Sequence, residues 1–163
     1  ACDYLLKKLG GPQVVDAYVK SLGVKGISIK ASEGDMAASW PVQYTNWGKP
    51  ADLVKLLEIL YSGKALSPSS NDFLMKAMLA TTTGPKRLKG LLPADAVVAH
   101  KTGTSGTNDE GLTPATNDIG IITLPNGKHL AIAVMVCNSK ADEATREAII
   151  AKIAKAAWDY YGK

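Results

Sequence analysis

The sequence predicts an α+β fold in which an antiparallel sheet is covered by helices, and three observations point to it. Apolar residues recur at helical spacing through most of the first half of the chain. Short runs rich in β-branched residues follow, two of them joined by an Asn-Gly turn. A long stretch with one apolar stripe then closes the sequence, ready to cover a sheet face. The 163 residues, 46% apolar and 21% charged, have the composition of one soluble globular domain. A chain of this length buries a core without metal or disulfide staples.

Ala1 to Leu9 carries Leu5, Leu6 and Leu9 at helical spacing and is stopped by Gly10-Gly11 and Pro12. No capping residue precedes it, so a helix with a clear end lacks a start, and we expect the chain to be the C-terminal part of something longer. Pro12 to Ser21 suits a short helix opened by proline. Residues 26–30 are too brief to assign. From Ala31 to Asn46 the apolar period disappears among Glu33, Gly34, Asp35, Trp40 and Pro41, which predicts a compact surface loop of the omega kind. Helices are expected over 49–61 and 70–79, strands over 96–101, 119–124 and 130–137, and a final helix over 141–161. The portion 1–95 is thus mainly helical, and 96–163 holds the strands and the last helix.

Net charge is +4, but the 19 basic and 15 acidic residues are interspersed, which argues against a nucleic-acid partner. Apolar stretches are too short and too interrupted to insert in a membrane, and no targeting signal is visible. Cys2 and Cys137 lie far apart and read as small buried hydrophobes or, failing that, as a disulfide pair. His100 and His129 lack metal-ligand spacing, so neither metal nor cofactor is assigned. Met36, Met75, Met78, Met135 and Trp158 read as core fillers, and Trp40 and Trp47 as residues that pack the loop down.

Chemistry concentrates after the first strong strand, in His100-Lys101-Thr102-Gly103-Thr104-Ser105-Gly106. A strand bearing Lys, Thr and further hydroxyls can pair its backbone with an amide-bearing ligand while its ammonium and hydroxyl groups hold a carboxylate. A lone K-T-G recurs by chance, but this one ends a strand and precedes a hairpin and a terminal helix. With it stand Ala1-Cys2-Asp3, Gly10-Gly11, Ala31-Ser32-Glu33, Thr81-Thr82-Thr83-Gly84-Pro85 and Arg87-Leu88-Lys89-Gly90-Leu91-Leu92-Pro93. Together these resemble the class A serine β-lactamases, in the extended-spectrum branch that includes the PER and VEB types, over essentially the whole chain.

The resemblance implies a β-lactamase/transpeptidase-like fold, a periplasmic or secreted location, and β-lactam antibiotics as substrates. It makes Glu33 the general base for hydrolysis of an acyl-serine, where the plain reading is a solvated carboxylate. Lys101 and Thr104 become catalytic, with the Thr104 backbone N–H in the oxyanion hole. Arg87, Thr102, Gly103, Thr104 and Ser105 become substrate-binding, Arg87 adding positive charge near the substrate carboxylate in place of Ile119 on the next strand. Asp3 faces either the loop or solvent.

Two family motifs, S-x-x-K and S-D-N, are absent from the 163 residues; the only match to [ST]-x-x-K is Thr83 to Lys86, beside a proline. The nucleophile is therefore expected outside this chain, and the N-terminal part of the same protein becomes an implied partner. The loop also departs from the family at Ala31, Ala37 and Asn46, where a salt-bridged neck and a water-holding asparagine are usual. The alternatives are a penicillin-binding transpeptidase or carboxypeptidase, which lacks a deacylating glutamate, and an inactive fragment that only folds or assembles.

Overall fold

The computed structural model describes residues 1–163, which form two compact units, Ala1–Ile59 and Leu60–Lys163. In the first unit, α1 (Cys2–Leu9) ends where Gly10 turns left-handed and its N–H closes on the last helical carbonyls. After it come α2 (Pro12–Ser21), the two-residue strand β1 (Ile27–Ser28), α3 (Glu33–Ala38), a 3₁₀ helix (Trp40–Thr45) and β2 (Trp47–Gly48). Strand β2 pairs antiparallel with β1. The core here is small: Val19, Val24 and Ile27 are buried, with Leu22, Ile29, Leu53, Leu56 and Ile59 against them. The last three belong to α4 (Pro50–Tyr61), within which the boundary between the units falls.

The second unit contains α5 (Pro68–Leu79) and a three-stranded antiparallel sheet of β3 (Val98–Thr104), β4 (Thr113–Thr123) and β5 (His129–Ser139), in that order, with α6 (Glu143–Tyr161) on one face. Val98, Ile122, Ile132 and Val134 project from that face and meet Ile150 and Ala154 of α6, with Leu88 from the preceding loop. These apolar contacts drive the helix onto the sheet. The β4–β5 turn is the expected one. Gly127 takes φ +78°, and Asn126 reaches back to the carbonyls of Tyr161 and Lys163, tying the turn to the end of α6.

Helix boundaries fall within a few residues of those expected, but 31–46 is not irregular throughout, since it contains α3 and the 3₁₀ helix. Strand β4 starts six residues earlier than the run at 119, and Thr113, Thr116 and Asp118 in that extension find side-chain partners in Thr107, Arg146 and His100. The cysteine expectation is overturned: both thiols are free and exposed. Cys2 lies on α1, which buries no residue, and Cys137 sits near the end of the edge strand β5. Of the methionines only Met78 is buried, while Met36, Met75 and Met135 are half-buried. Trp40 and Trp47 are exposed rather than packing the loop down. No helix is long and apolar enough to cross a membrane.

Close packing within the sheet yields a direct test. A Cβ on Gly120 would lie 2.5 Å from the Ala99 carbonyl oxygen and 2.8 Å from the His100 Cβ. Gly120→Ala should therefore destabilise the chain by about 1–3 kcal/mol, as overpacking of a tight site does. Urea unfolding measures it, and a change within error would mean that the strands are not this close.

Candidate functional site

The residues singled out in the sequence fall into two clusters, one in each unit. In the first unit Glu33 is the first residue of α3, whose cap is Ser32. The Ser32 hydroxyl accepts the Asp35 N–H, and the Asp35 carboxylate accepts the Ser32 N–H and hydroxyl at 2.9 and 2.7 Å, a closed capping box. Those bonds, the hydroxyl first, hold the Asp35 carboxyl below its ordinary value of 3.8. Asp3 of α1 faces the loop and fixes it by the backbone. Its two oxygens accept the N–H groups of Glu33 at 2.8 Å and Gly34 at 2.9 Å. The Glu33 side chain is exposed.

Asn46 closes the neck of the loop. Its Oδ1 accepts the N–H groups of Lys30 and Ala31 at 2.8 and 3.0 Å, and its Nδ2 donates to the Ala31 carbonyl at 2.9 Å. One neutral side chain thus closes the neck, and buried Ala31 supplies only backbone and a methyl. The sequence left Asp3 facing either the loop or solvent, and the structure turns it to the loop, whereas the partner set of Asn46 was not visible. Asn46 bonds chiefly to backbone groups, which leave no signature in the residue types.

In the second unit β3 carries Lys101, Thr102, Gly103 and Thr104 in its last turns of pleat, and register places Lys101 opposite Ile119 and Thr104 opposite Thr116. Lys101 is exposed, its ammonium close to the Thr102 carbonyl. The hydroxyls of Thr102 and Thr83 lie 2.6 Å apart. Ser105 pairs with Ala115 through backbone and side chain alike, closing the β3–β4 ladder. An added Cβ on Gly103 would meet nothing, so that stretch of strand edge is open.

Arg87 is only 3% exposed. Its Nε donates to Glu147 of α6 at 3.1 Å, one terminal nitrogen to the carbonyls of Gly103 and Asn117 at 3.2 and 3.0 Å, and the other to the Thr104 hydroxyl at 2.7 Å. Four of its five N–H donors are thereby satisfied within the chain. The structure brings Arg87, Gly103 and Thr104 together, and it adds Glu147, which the sequence did not suggest. Beside them Arg146 donates from Nε to the Thr116 hydroxyl at 2.9 Å. No group of three or more His, Cys, Asp or Glu side chains is placed to hold a metal.

Comparison with known proteins follows the same outline. The model of the beta-lactamase enzyme family matches residues 1–161. The chain belongs to that family. It is 49% identical to beta-lactamase VEB-1 and 47% identical to extended-spectrum beta-lactamase PER-1, both of Pseudomonas aeruginosa, over 98% of this chain. Among solved structures, TLA-3 extended-spectrum beta-lactamase superposes with a TM-score of 0.98 at 57% identity, over 99% of this chain and 59% of that one. A class A beta-lactamase from Bacteroides cellulosilyticus does so with 0.94 at 42% identity, over 99% of this chain and 58% of that one. The α+β fold is that of the C-terminal part of class A β-lactamases. The chain spans about half the length of the curated relatives, 54% of VEB-1 and 52% of PER-1.

Two outcomes test the loop. A carboxyl held below 3.8 in the folded chain contributes stability above that value and loses it as pH falls through its own lowered value. The Ser32 amide resonance should therefore titrate with a midpoint below 3.8, and one at or above it would mean that the capping box is not formed. Asn46→Leu, similar in size but without hydrogen-bonding groups, should destabilise the chain by about 1–3 kcal/mol, since it strands backbone groups of Lys30 and Ala31. Chemical denaturation reads this, and an unchanged midpoint would mean that water replaces the side chain without loss.

Proposed function

We propose that this chain is the part of a class A serine β-lactamase that carries the deacylating base and the strand that binds the substrate carboxylate. The observation that carries the reading is the Arg87–Thr104 contact. Thr104 accepts from the guanidinium, so its own hydrogen is free to be donated outward to an anion. Arg87 then acts on the substrate through Thr104 and through the field of its charge, with one N–H still uncommitted. Lys101 and Thr102 supply an ammonium and a second hydroxyl on the same strand, and Ser105 holds that strand against β4.

In the reaction, a serine hydroxyl outside these 163 residues attacks the lactam carbonyl carbon. The C–N bond breaks, the ring nitrogen takes up a proton, and an acyl ester remains on the serine. The Thr104 backbone N–H supplies one oxyanion donor. Glu33 then removes a proton from water as that water attacks the ester, and the serine is released. The carboxylate of Glu33 is presented from a backbone that Asp3 pins by two hydrogen bonds, which supports this role. A transpeptidase has no use for a loop glutamate so anchored.

Alone, the chain is inactive on this reading, and its partner is the N-terminal part of the same protein. Tyr4, Leu5 and Leu9 of α1 are each 60% exposed or more, an apolar surface that such a part would cover. The substrates are β-lactam antibiotics and the location is the periplasm or the cell exterior.

The deciding experiment uses the full-length enzyme. Glu33→Ala should leave acylation measurable while deacylation falls by several orders of magnitude, so mass spectrometry after brief exposure to a penicillin should find an adduct. Unchanged steady-state turnover would remove Glu33 from the mechanism. Arg87→Ala should cost about 1.5–3 kcal/mol in kcat/KM and Thr104→Val somewhat less, with the double variant losing less than the sum because one group acts through the other. Strict additivity at fixed ionic strength would mean that Arg87 is only structural.

A further inference from the structure

Beside Arg87, the sheet face under α6 carries a second polar device that the reaction scheme leaves unused. His100 of β3 and Asp118 of β4 are both 0% exposed. Register puts His100 opposite Gly120 and Asp118 opposite Thr102, so the two side chains meet on the diagonal of one face. Gly120, with no side chain, leaves room for the ring. His100 Nδ1 lies 3.0 Å from Asp118 Oδ1 and 2.9 Å from Oδ2, and Oδ2 also accepts the Leu88 backbone N–H at 3.2 Å. Nε2 is buried and has no hydrogen-bond partner. The hydrogen between the two side chains therefore belongs to Nδ1, because a hydrogen on Nε2 would be a buried donor without an acceptor.

Leu88 follows Arg87 in the chain, and His100 precedes Lys101. The dyad thus joins the segment that carries one cation to the strand that carries the other. Further contacts run in the same direction. The Thr81 hydroxyl donates to the His100 carbonyl at 2.8 Å, and Gly84, at φ +57°, lies so close to Thr102 that a Cβ would meet its methyl at 2.7 Å. Besides the bonds of Arg87 itself to Gly103 and Thr104, only the dyad among these contacts buries charge-bearing groups, so there a lost hydrogen bond goes unreplaced by water.

We propose that His100 and Asp118 are positioning residues for the carboxylate site. They hold the Arg87 segment and the Lys101–Thr104 strand in one fixed relation, though neither touches the ligand. The inference rests on the β-lactamase reading for its kinetic consequence and on geometry alone for the link itself.

In the full-length enzyme, His100→Asn keeps an N–H where Nδ1 stands, whereas His100→Gln carries its amide out to the place of Nε2 and fills the space better. His100→Gln and Asp118→Asn should each lose about tenfold or more in kcat/KM toward β-lactams that bear the carboxylate, while His100→Asn keeps most of it despite a lower melting temperature. Packing alone predicts the reverse order. Equal losses, or Gln outperforming Asn, would overturn the proposal.

The 163-residue chain gives a second readout that needs no activity. Imidazole ¹⁵N shifts should show a protonated Nδ1 and a bare Nε2, and Asp118→Leu, similar in size but unable to accept, should speed amide exchange at Leu88 by about tenfold or more while α2 keeps its protection. The opposite tautomer, or unchanged exchange at Leu88, would sink the link. Should the unsubstituted full-length enzyme hydrolyse no β-lactam, the β-lactamase reading falls, and tautomer and exchange still decide whether the dyad binds the two segments together.

Discussion

A buried guanidinium is tolerated only when countercharge and hydrogen bonds replace the water it has lost, since an unpaired ion costs several kcal/mol in a protein interior. Arg87 meets that demand with acceptors from three different elements: the Gly103 carbonyl and Thr104 hydroxyl of β3, the Asn117 carbonyl of β4 and the Glu147 carboxylate of α6. No single element can shift without stranding a donor. The end of the sheet, the loop before it and the first turns of α6 are thereby fixed to one another, and the open edge of β3 beyond them is presented on a rigid base. Glu147 is correspondingly buried beside Arg146, so the amino-terminal turns of α6 serve the sheet with charge where its later turns serve it with Ile150 and Ala154.

The first unit reaches order by other means. Between Ala31 and Asn46 only Ala31 is buried, so the loop has almost no apolar core of its own. Side chains hold it instead through the backbone: Asn46 at the neck, Asp3 beneath the start of α3, and Ser32 and Asp35 in the capping box. Each bond is worth little in water, about 0.5–1.5 kcal/mol net. Their number and their shared target, the few peptide groups around Glu33, give the loop a defined shape where a hydrophobic interior is lacking.

What the sequence made legible follows from this division. Helices with apolar stripes and strands with β-branched runs were readable because burial imposes a period, as in Leu53, Leu56 and Leu57 or in Ile119 to Leu124. The first half of β4 was not. Thr113 to Asp118 carries Pro, Asn and Asp, residues that disfavour strands, and three of its polar side chains find partners outside it, Thr113 in Thr107, Thr116 in Arg146 and Asp118 in His100. Arg87 was singled out by spacing and resemblance, but its partner Glu147 stands sixty residues away, and a pairing of that range has no local signature. The cysteines misled for a simpler reason: composition places thiols inside, but the faces that carry Cys2 and Cys137 are not covered within this chain.

The two clusters differ in a way that fits the tasks proposed for them. Binding an anion gains most from dipoles and charges that do not reorganise, and a buried arginine whose remaining polarity emerges through one threonine hydroxyl is such an arrangement. A general base has to admit water, so it cannot be buried to the same degree. Placing its backbone through Asp3 while leaving the carboxylate exposed reconciles position with access. The bonds of Asn46 to Lys30 and Ala31 are separate from that anchor. Asn46 therefore decides how the loop is closed, and Asp3 decides from where Glu33 is presented.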